Sequence, residues 1–499
     1  MYFKRMYRKV YDKKIRKLFC EGYLTVWIAL CLTVILSLCL TLIDGARRNA
    51  ARMEIECIAN IGLQSILAEY HRELMKQYNL FAIDASYGTS ICNRFNTEAR
   101  LRYYLEQNLS YDDIFLSEYL YGNFLSLALK QVELKKISIL TDNQGELFRK
   151  RAAEAMGADI GLDLLWEIQK WVQVIEVNGL EDGTEEDEKR QLDKEIESFD
   201  GMEIEIEEDQ WETLVIDNPT DKLEEKKREG ILKLVLSEEE EVSQKILNME
   251  NLLEFRMEQG HLNHGNIKQE ALSEVSKVME RFLFQEYLLQ YMGRYTKEKE
   301  NSALQYQMEY LISGNDSDMD NLRSIANRIC VVREAANVLY LMSSGEKMSE
   351  VRLAAELVCT IITLPELTPL LEAAIVLGWA YAESIYDVKS IMAGGKIPLL
   401  KDDDSWHYGL AAALEGELQE VTQEGEGLSY EDYLRVLMMM TDIDTITVRA
   451  MNMVEADIRN TAGNTAFRLD GCYDRVEAYI RVESAQGIAY EITRQMGYN

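Results

Sequence analysis

The sequence predicts an α+β protein that is mostly α-helical, and three observations support this fold class. An uncharged segment, residues 23–43, is long enough to cross a membrane as a helix. Helical periodicity dominates residues 223–456, and apolar and polar residues alternate near the C-terminus, as they do in strands. We therefore predict an N-terminal transmembrane helix that continues into a long amphipathic helix. A large helical region and a small antiparallel C-terminal sheet follow it.

The charges around the transmembrane segment predict its orientation. Eight Lys or Arg residues precede it, whereas only Arg47, Arg48 and Arg52 follow it closely. Because positive charge stays on the cytoplasmic side, we expect residues 1–22 to be a basic cytoplasmic tail and the bulk of the chain to be extracellular. A cleaved signal peptide is the alternative, but its apolar region is shorter, about 7–15 residues. A small-x-small cleavage site is also lacking.

The region after the membrane segment continues the helical pattern. No proline occurs in residues 46–78. Apolar or small residues recur there at spacings of three and four, namely Ile55, Ile58, Ala59, Gly62, Ile66, Tyr70 and Leu74. This pattern predicts one helix, half in the bilayer and half outside, which is the plan of a pilin-like protein. The alternative is a membrane anchor attached to an unrelated soluble domain.

Residues 44–180 combine this helix with a first α+β part. Predicted strands cover residues 79–84 and 132–140, where apolar and polar residues alternate. Predicted helices cover residues 95–109 and a segment that starts at Asp142 or Asn143, either of which can cap it, and runs to about residue 177.

An acidic stretch interrupts the pattern. Residues 181–212 contain sixteen Asp and Glu but only three Lys or Arg. Such a run is typical of a solvated loop, so we interpret residues 181–222 as an acidic flexible insertion. Residues 202–206 alternate in the manner of a strand with a charged outer face.

Residues 223–456 form the predicted helical domain, and residues 457–499 form an antiparallel β segment. The predicted helices are 279–295, 302–312, 322–342, 348–363, 366–392 and 430–456, and the predicted strands are 465–469, 476–482 and 488–493, with the two earlier strands in the same sheet. Residues 351–382 are apolar enough to suggest a second membrane segment. Charged residues and two prolines interrupt them, so a buried helical hairpin is the better interpretation.

Net charge limits the partners of the exported part. The whole chain carries −32, and residues 1–43 hold eight basic and two acidic residues, which leaves −38 outside. A surface this acidic repels nucleic acid, so we expect no nucleic-acid partner.

The eight cysteines include no CxxC pair, so no disulfide framework is expected.

The histidines and aspartates that could serve in catalysis or metal binding do not form a recognisable motif. His261 and His264 lie three apart in a polar loop without further ligands, and His71 falls on the long helix. Asp316, Asp318 and Asp320 resemble the start of a calcium loop but lack its later glycine and glutamate, so helix capping before Leu322 explains them better. The run Asp402-Asp403-Asp404 beside Trp406 suggests a calcium site in the same way and is discounted likewise.

Nucleotide-binding and serine-hydrolase motifs such as GxGxxG, GxxxxGK[ST] and GxSxG are also lacking. We therefore predict that the protein is not an enzyme. We expect no catalytic, cofactor or metal site, no cofactor, and no small-molecule substrate.

Several motifs resemble a known group. They are Gly22-Tyr-Leu-Thr-Val-Trp-Ile-Ala-Leu, Asp44-Gly-Ala-Arg47, Ser65-Ile-Leu-Ala-Glu-Tyr70, Glu309-Tyr-Leu-Ile-Ser-Gly314, Asp318-Met-Asp-Asn-Leu322, Gly378-Trp-Ala-Tyr-Ala-Glu383 and Ser429-Tyr-Glu-Asp-Tyr-Leu434. With these motifs the chain is similar to TadE- and TadG-like membrane-anchored proteins of Gram-positive, clostridial Tad (Flp) pilus loci. This group is largely a family of unknown function.

The resemblance implies a structural or assembly component of a Tad-type pilus or secretion system. Its partners would be the lipid bilayer and other Tad-type pilus or envelope proteins. It also implies a processing site for a leader peptidase after Gly22. Family pseudopilins have glutamate five residues after that glycine, whereas this chain has Trp27 there. The alternative function is a membrane-anchored extracellular binding module unrelated to pili.

Overall fold

The computed structural model describes residues 2–89, 91–109, 127–157, 162–200, 203–207, 210–213, 220–236, 242–250, 252–267, 274–362, 364–416, 421 and 425–498. The chain divides into two compact units. Unit 1 comprises Met1–Tyr70, Asn93–Ile137 and Asp474–Asn499, and unit 2 comprises His71–Cys92 and Ser138–Tyr473. Helices dominate, with a long apolar N-terminal helix and a small antiparallel sheet that includes the C-terminal strands, which confirms the predicted fold class.

Helix α1, Tyr2–Leu67, organises unit 1. Its apolar segment lies in Tyr23–Leu67, which is the one helix in the described part of the chain long and apolar enough to cross a membrane. The most apolar window has a mean hydropathy of 2.7, and none of it is buried inside the protein. An uncovered apolar surface of this length is consistent with the predicted membrane anchor.

The second half of α1 packs on helix α3, Arg94–Leu109, and on a C-terminal strand. The buried face includes Ile55, Ile58, Ala59 and Ile66, as the helical periodicity predicts. Gly62 allows the two helices to approach closely, because a Cβ at this position would lie 2.8 Å from a methyl carbon of Leu105.

Two long strands supply the C-terminal hairpin of unit 1. Strand β5, Cys472–Ser484, pairs antiparallel with β6, Ala489–Gly497, from Arg475↔Gly497 to Glu483↔Ala489. Gly487 has a φ of 76° in the connecting turn, which glycine adopts at little cost. Strand β2, Leu127–Ile139, lies on the other side of β5, and the two-residue strand β1, Ile83–Asp84, pairs with the start of β5.

Unit 2 contains most of the helices. They are α2 Arg72–Tyr78, α4 Asp142–Met156, α5 Leu162–Asn178, α6 Thr184–Glu197, α7 Asp221–Lys227, α8 Ile231–Val235, α9 Leu253–Glu258, α10 Glu274–Tyr291, α11 Gln307–Ser313, α12 Asp318–Ser343, α13 Gly345–Ile362, α14 Thr368–Met392, α15 Leu410–Leu414, α16 Tyr430–Met440 and α17 Ile443–Arg459. A short hairpin, β3 Glu203–Glu207 and β4 Gln210–Thr213, and 3-10 turns at Pro365–Leu367 and Leu469–Gly471 complete it.

The prediction of one continuous helix to residue 78 is wrong at its end. Helix α1 stops at Leu67, and α2 starts afresh after His71. His71 has an extended backbone, and its Nδ1 accepts a hydrogen bond from the Leu74 N–H at 3.2 Å. A side chain that accepts from the third residue of a helix satisfies an otherwise unpaired N–H, so His71 defines a new helix start.

Two other predicted helices are also divided. Asn143, Gln144 and Gly145 have positive φ at the start of α4, and Gly157 ends that helix with a φ of 73°. The predicted helix 430–456 breaks where Asp442 caps α17 by accepting from the Thr445 N–H at 2.9 Å. At this break Arg281 donates to the backbone carbonyls of residues 438, 439 and 441, which satisfies the end of α16.

Neither Asp142 nor Asn143, the two predicted N-cap residues, caps helix α4. Thr141 occupies the N-cap position of α4. The Asp142 carboxylate instead accepts from the backbone N–H groups of Ile139 at 2.8 Å and Gly265 at 2.7 Å. It therefore joins the end of β2 to a distant loop.

The acidic stretch contains regular structure where a loop was predicted. It includes α6 and the β3–β4 hairpin, and the strand that the alternation suggested is present at Glu203–Glu207. Ile196 is only 2% exposed because it packs into a core that contains Trp379 of α14. Part of the acidic stretch thus contributes to the core of unit 2.

The predicted buried hairpin at residues 351–382 corresponds to α13 and α14. Helix α14 is almost wholly enclosed, and Trp379 is fully buried. At the C-terminus the predicted strand 465–469 is not a strand, since the chain forms the 3-10 turn Leu469–Gly471 before β5 begins. The predicted strand at 79–84 shrinks to β1, which does join the same sheet as β2.

Candidate functional site

The candidate site of unit 2 is built on α14, whose sequence is apolar except for a few side chains. Glu383 and Asp387 lie four residues apart and therefore share one face of the helix. Both side chains are fully buried. Arg333 and Asn337, also four apart and fully buried, come from the adjacent helix α12. Charged side chains are seldom buried without partners, so their contacts determine what this site can do.

Each buried charge in the site has an opposite charge beside it. Arg333 Nε lies 3.0 Å from Asp387 Oδ2. Lys401 Nζ lies 2.7 Å from Asp387 Oδ1 and also contacts Glu383. Asn337 donates to Asp387 Oδ2 at 3.1 Å. The result is a buried cluster of two carboxylates and two cations, which we call the α14 charge cluster: Arg333, Glu383, Asp387 and Lys401.

The contacts within the cluster keep Glu383 and Arg333 charged. Burial raises the pKa of Glu383, but hydrogen bonds from His407 and Lys401, together with the positive charge of Lys401, outweigh it and lower this pKa to about 2. Burial lowers the pKa of Arg333, but the negative charge of Asp387, together with hydrogen bonds to neighbouring side chains, raises it by more, so the net pKa lies above its ordinary range. Glu383 therefore contributes stability above its unfolded-state pKa of about 4.5, and this contribution is lost as the pH falls through about 2.

The same cluster holds the segment between α14 and α15 in place. Arg333 donates to the carbonyls of Pro398 and Leu399, both at 2.8 Å. Glu383 accepts from the backbone N–H groups of His407 at 3.0 Å and Tyr408 at 2.8 Å. This irregular segment therefore depends on buried charges from two helices for its conformation.

A groove lies against this segment. Its volume is about 310 Å³, and its lining includes Asp402, Asp404, Glu426, Lys396 and His407. The His407 ring stacks on Tyr386, with 4.3 Å between the ring centroids, and Nδ1 lies 3.3 Å from Glu383 Oε1. His407 thus connects the α14 charge cluster to an acidic groove that is open to solvent.

Glu383, Asp387 and His407 could offer three ligand atoms to a metal ion. These atoms lie within 4.8 Å of one another. However, the ammonium group of Lys401 contacts both carboxylates and supplies the positive charge that a metal would bring. A metal ion would have to displace a buried lysine, so the residues present fit an internal ion-pair cluster better than a metal centre.

A second buried acid lies elsewhere in unit 2. Glu309 on α11 is fully buried, and its Oε1 accepts from the Tyr295 N–H at 2.9 Å and from the Tyr430 hydroxyl at 2.7 Å. Its Oε2 has no hydrogen-bond partner among the described residues. Burial raises the pKa of Glu309 to about 7, although both donated hydrogen bonds act in the opposite direction. Glu309 therefore changes charge near neutral pH.

The residues considered from sequence alone do not converge on one site. Gly22 lies within α1, which continues through it without a break. His261 and His264 lie in an exposed loop. Asp318 accepts from the backbone N–H groups of Gln305 at 2.8 Å and Tyr306 at 2.9 Å, so its carboxylate holds a loop in place.

The capping interpretation of the other aspartates holds in part. Ser317 caps α12 by accepting from the Asp320 N–H at 3.1 Å. Asp402 does not cap a helix; it accepts from the Ser405 N–H at 3.0 Å in a local turn. His71 is half-buried, caps α2 and packs on Phe467 with 4.6 Å between ring centroids.

The α14 charge cluster was missed by the sequence analysis. A signal existed, because Glu383 and Asp387 are carboxylates four apart in a mostly apolar helix. Their partners Lys401 and Arg333 are fourteen or more residues away, and no local pattern links them. Periodicity predicts which face of a helix is buried, but it does not predict which distant charge will meet it.

Comparison with known proteins gives one match. A family model described as a family of unknown function, DUF5702, matches residues 209–484. No curated protein and no solved structure matches the chain. The matched range includes the α14 charge cluster, its groove and Glu309, and it starts after α1.

Proposed function

Since the chain belongs to this family of unknown function, DUF5702, we propose its role from its own architecture. It is a single-pass membrane-anchored, pilin-like protein of the cell surface. Residues 1–22 lie in the cytoplasm and the acidic bulk of the chain lies outside. Its role is structural, as a component of an envelope assembly, and we assign it no reaction.

One observation carries this proposal: a single unbroken helix joins the membrane segment to a folded unit. Helix α1 is exposed and apolar over residues 23–43, and beyond residue 50 one face of it is buried against α3 and β6. A flexible linker would be expected if the anchor only tethered an independent domain. A continuous helix instead fixes unit 1 close to the bilayer, as in pilin-like subunits and assembly factors.

The finer assignment is a structural or assembly component of a Tad-type pilus or secretion system. The motifs that resemble TadE- and TadG-like proteins support it, and the arrangement of α1 on an antiparallel sheet is compatible with it. Its partners would be the lipid bilayer and other pilus or envelope proteins. Genes for a Tad ATPase and a membrane platform next to this one would favour this assignment over the alternative.

Topology provides the first test. We expect a membrane-impermeant maleimide added to intact cells to label Asp187→Cys but not Lys9→Cys, because Asp187 lies in the exported part and is 86% exposed. Both variants are made with Cys57→Ser, since the Cys57 thiol is exposed. Labelling of position 9 and not of position 187 would reverse the orientation and refute the proposal.

Processing provides the second test. We expect the mature protein to keep its basic tail, because Trp27 cannot neutralise the amino group that cleavage after Gly22 would create in the apolar bundle of a filament. N-terminal sequencing of protein extracted from membranes checks this. A chain that starts at Tyr23 would identify a processed pilin subunit and would contradict the retained tail.

The second candidate function is a membrane-anchored extracellular binding module. The acidic groove beside His407 favours it, because it is a concave surface of about 310 Å³ with several polar side chains. A gene neighbourhood without pilus components would favour this function.

A further inference from the structure

A second groove lies in unit 1, immediately above the membrane segment. It is about 320 Å³ in volume and runs between α1 and the first residues of β6. Arg48 and Arg52 line it from α1, and Tyr490 and Ile492 line it from β6. We propose that this groove binds the phosphate headgroup of an anionic membrane lipid. The inference rests on the proposed function only in requiring that residues 23–43 span the bilayer.

The height of the groove above the bilayer follows from the continuity of α1. A helix rises about 1.5 Å per residue, so Arg48 lies about 7 Å and Arg52 about 13 Å beyond Ile43, where the apolar segment ends. The polar layer on each side of a bilayer is about 5–7 Å thick. Arg48 therefore lies at the level of lipid phosphates, and Arg52 lies just above it.

The two arginines retain donors for a phosphate. Among the described residues, the Arg48 guanidinium pairs with Asp44 Oδ2, at 2.9 Å from both Nε and Nη2, and this pairing uses only part of its five N–H donors. Arg52 lies 3.8 Å from Glu56. The side chains of Arg48 and Arg52 are 57% and 78% exposed, and such i,i+4 pairs are weak. A phosphate that accepts from both guanidinium groups would form stronger, charge-assisted hydrogen bonds.

The apolar lining of the groove suits the glycerol and the first acyl carbons of a lipid. Ile55 is buried at the floor, and Tyr490 and Ile492 are half-buried on the strand side. The carboxylates of Glu56 and Glu491 also line the groove and would repel a phosphate close to them. The phosphate is therefore placed between the guanidinium groups of Arg48 and Arg52, where it would take the place of Asp44 on Arg48.

Full-length protein in lipid nanodiscs tests the proposal. Retained lipids are counted by native mass spectrometry after exposure to phosphatidylglycerol and phosphatidylcholine. We expect a preference for phosphatidylglycerol that falls by at least about tenfold in the double variant Arg48→Gln, Arg52→Gln, because loss of a single charge-assisted hydrogen bond already costs an amount of this order. Ala489→Phe, which fills the groove without changing charge, should cause a similar loss.

The control is Arg47→Gln, which removes a charge at the same height outside the groove lining. It should leave the preference within about twofold, because binding depends on the groove. An equal loss in this variant, or no loss in Ala489→Phe, would show attraction to membrane-proximal charge in general and overturn the proposal.

Soluble glycerol phosphate at millimolar concentration should not displace the lipid, and displacement would indicate a site for free phosphate. Nanodisc binding is independent of orientation in the cell. A failure of the topology test would therefore leave this result unaffected, and the two failures can be distinguished.

Discussion

Replacing Lys401 with methionine is expected to lower the free energy of unfolding by about 3–5 kcal/mol. Lys401 is the cation shared by Glu383 and Asp387, and all three side chains are fully buried. Methionine fills a similar volume but leaves Glu383 as a buried charge whose remaining contacts are weaker. Removal of one partner from a buried ion pair is costly because the other charge has already lost its water. Urea unfolding of the full-length protein in detergent, followed by tryptophan fluorescence, measures the change.

Lys396→Met is the matched control, since Lys396 belongs to the same segment but is exposed. We expect it to change stability by less than about 0.5 kcal/mol. Adding Glu383→Gln to Lys401→Met should restore part of the loss, because it removes the unpaired charge. A cost below about 1 kcal/mol for Lys401→Met, or a double variant less stable than the single one, would contradict this account of the α14 charge cluster.

The stability of the protein is expected to fall by about 3 kcal/mol between pH 4.5 and pH 8 through Glu309 alone. Its pKa is about 7 when folded, against an ordinary value of 4.5. The folded state therefore binds more protons than the unfolded state in this range. This contribution is fully present below pH 4.5 and is lost as the pH rises through about 7.

Glu309→Gln should remove this component of the pH dependence. At pH 5 the variant should be less stable than the parent, since its amide N–H groups are buried without the partners they need. At pH 8 the difference should shrink or reverse, because only the parent then carries a buried charge. Urea unfolding at both pH values measures it. The exposed Glu298→Gln serves as the control, and an identical pH dependence in parent and Glu309→Gln would refute the raised pKa.

The elements predicted best from the sequence are those with a long, regular pattern. The apolar segment 23–43 and the buried stripe of Ile55, Ile58 and Ile66 follow from composition and from a period near 3.6, which are local properties. The strands β5 and β6 were found by alternation and by the turn at Gly487. The error in the acidic stretch has a clear reason: its many charges hid Ile196, whose burial depends on α14.

Composition and local periodicity predict a membrane-length helix, a strongly acidic remainder of the chain and a mostly helical fold. These follow from the residues in a single segment or from their total charge. The positions where helices break and the pairing of the buried charges are visible only in the folded protein, because both depend on contacts between distant segments. Helix α1 ends at Leu67, and His71, which caps α2, lies with its Nε2 3.1 Å from the distant Asn464 Oδ1. Arg333, Asp387 and Lys401 form one cluster only when two helices and a loop pack together. A buried charge is stable only beside its partner, and the fold brings the partner to it.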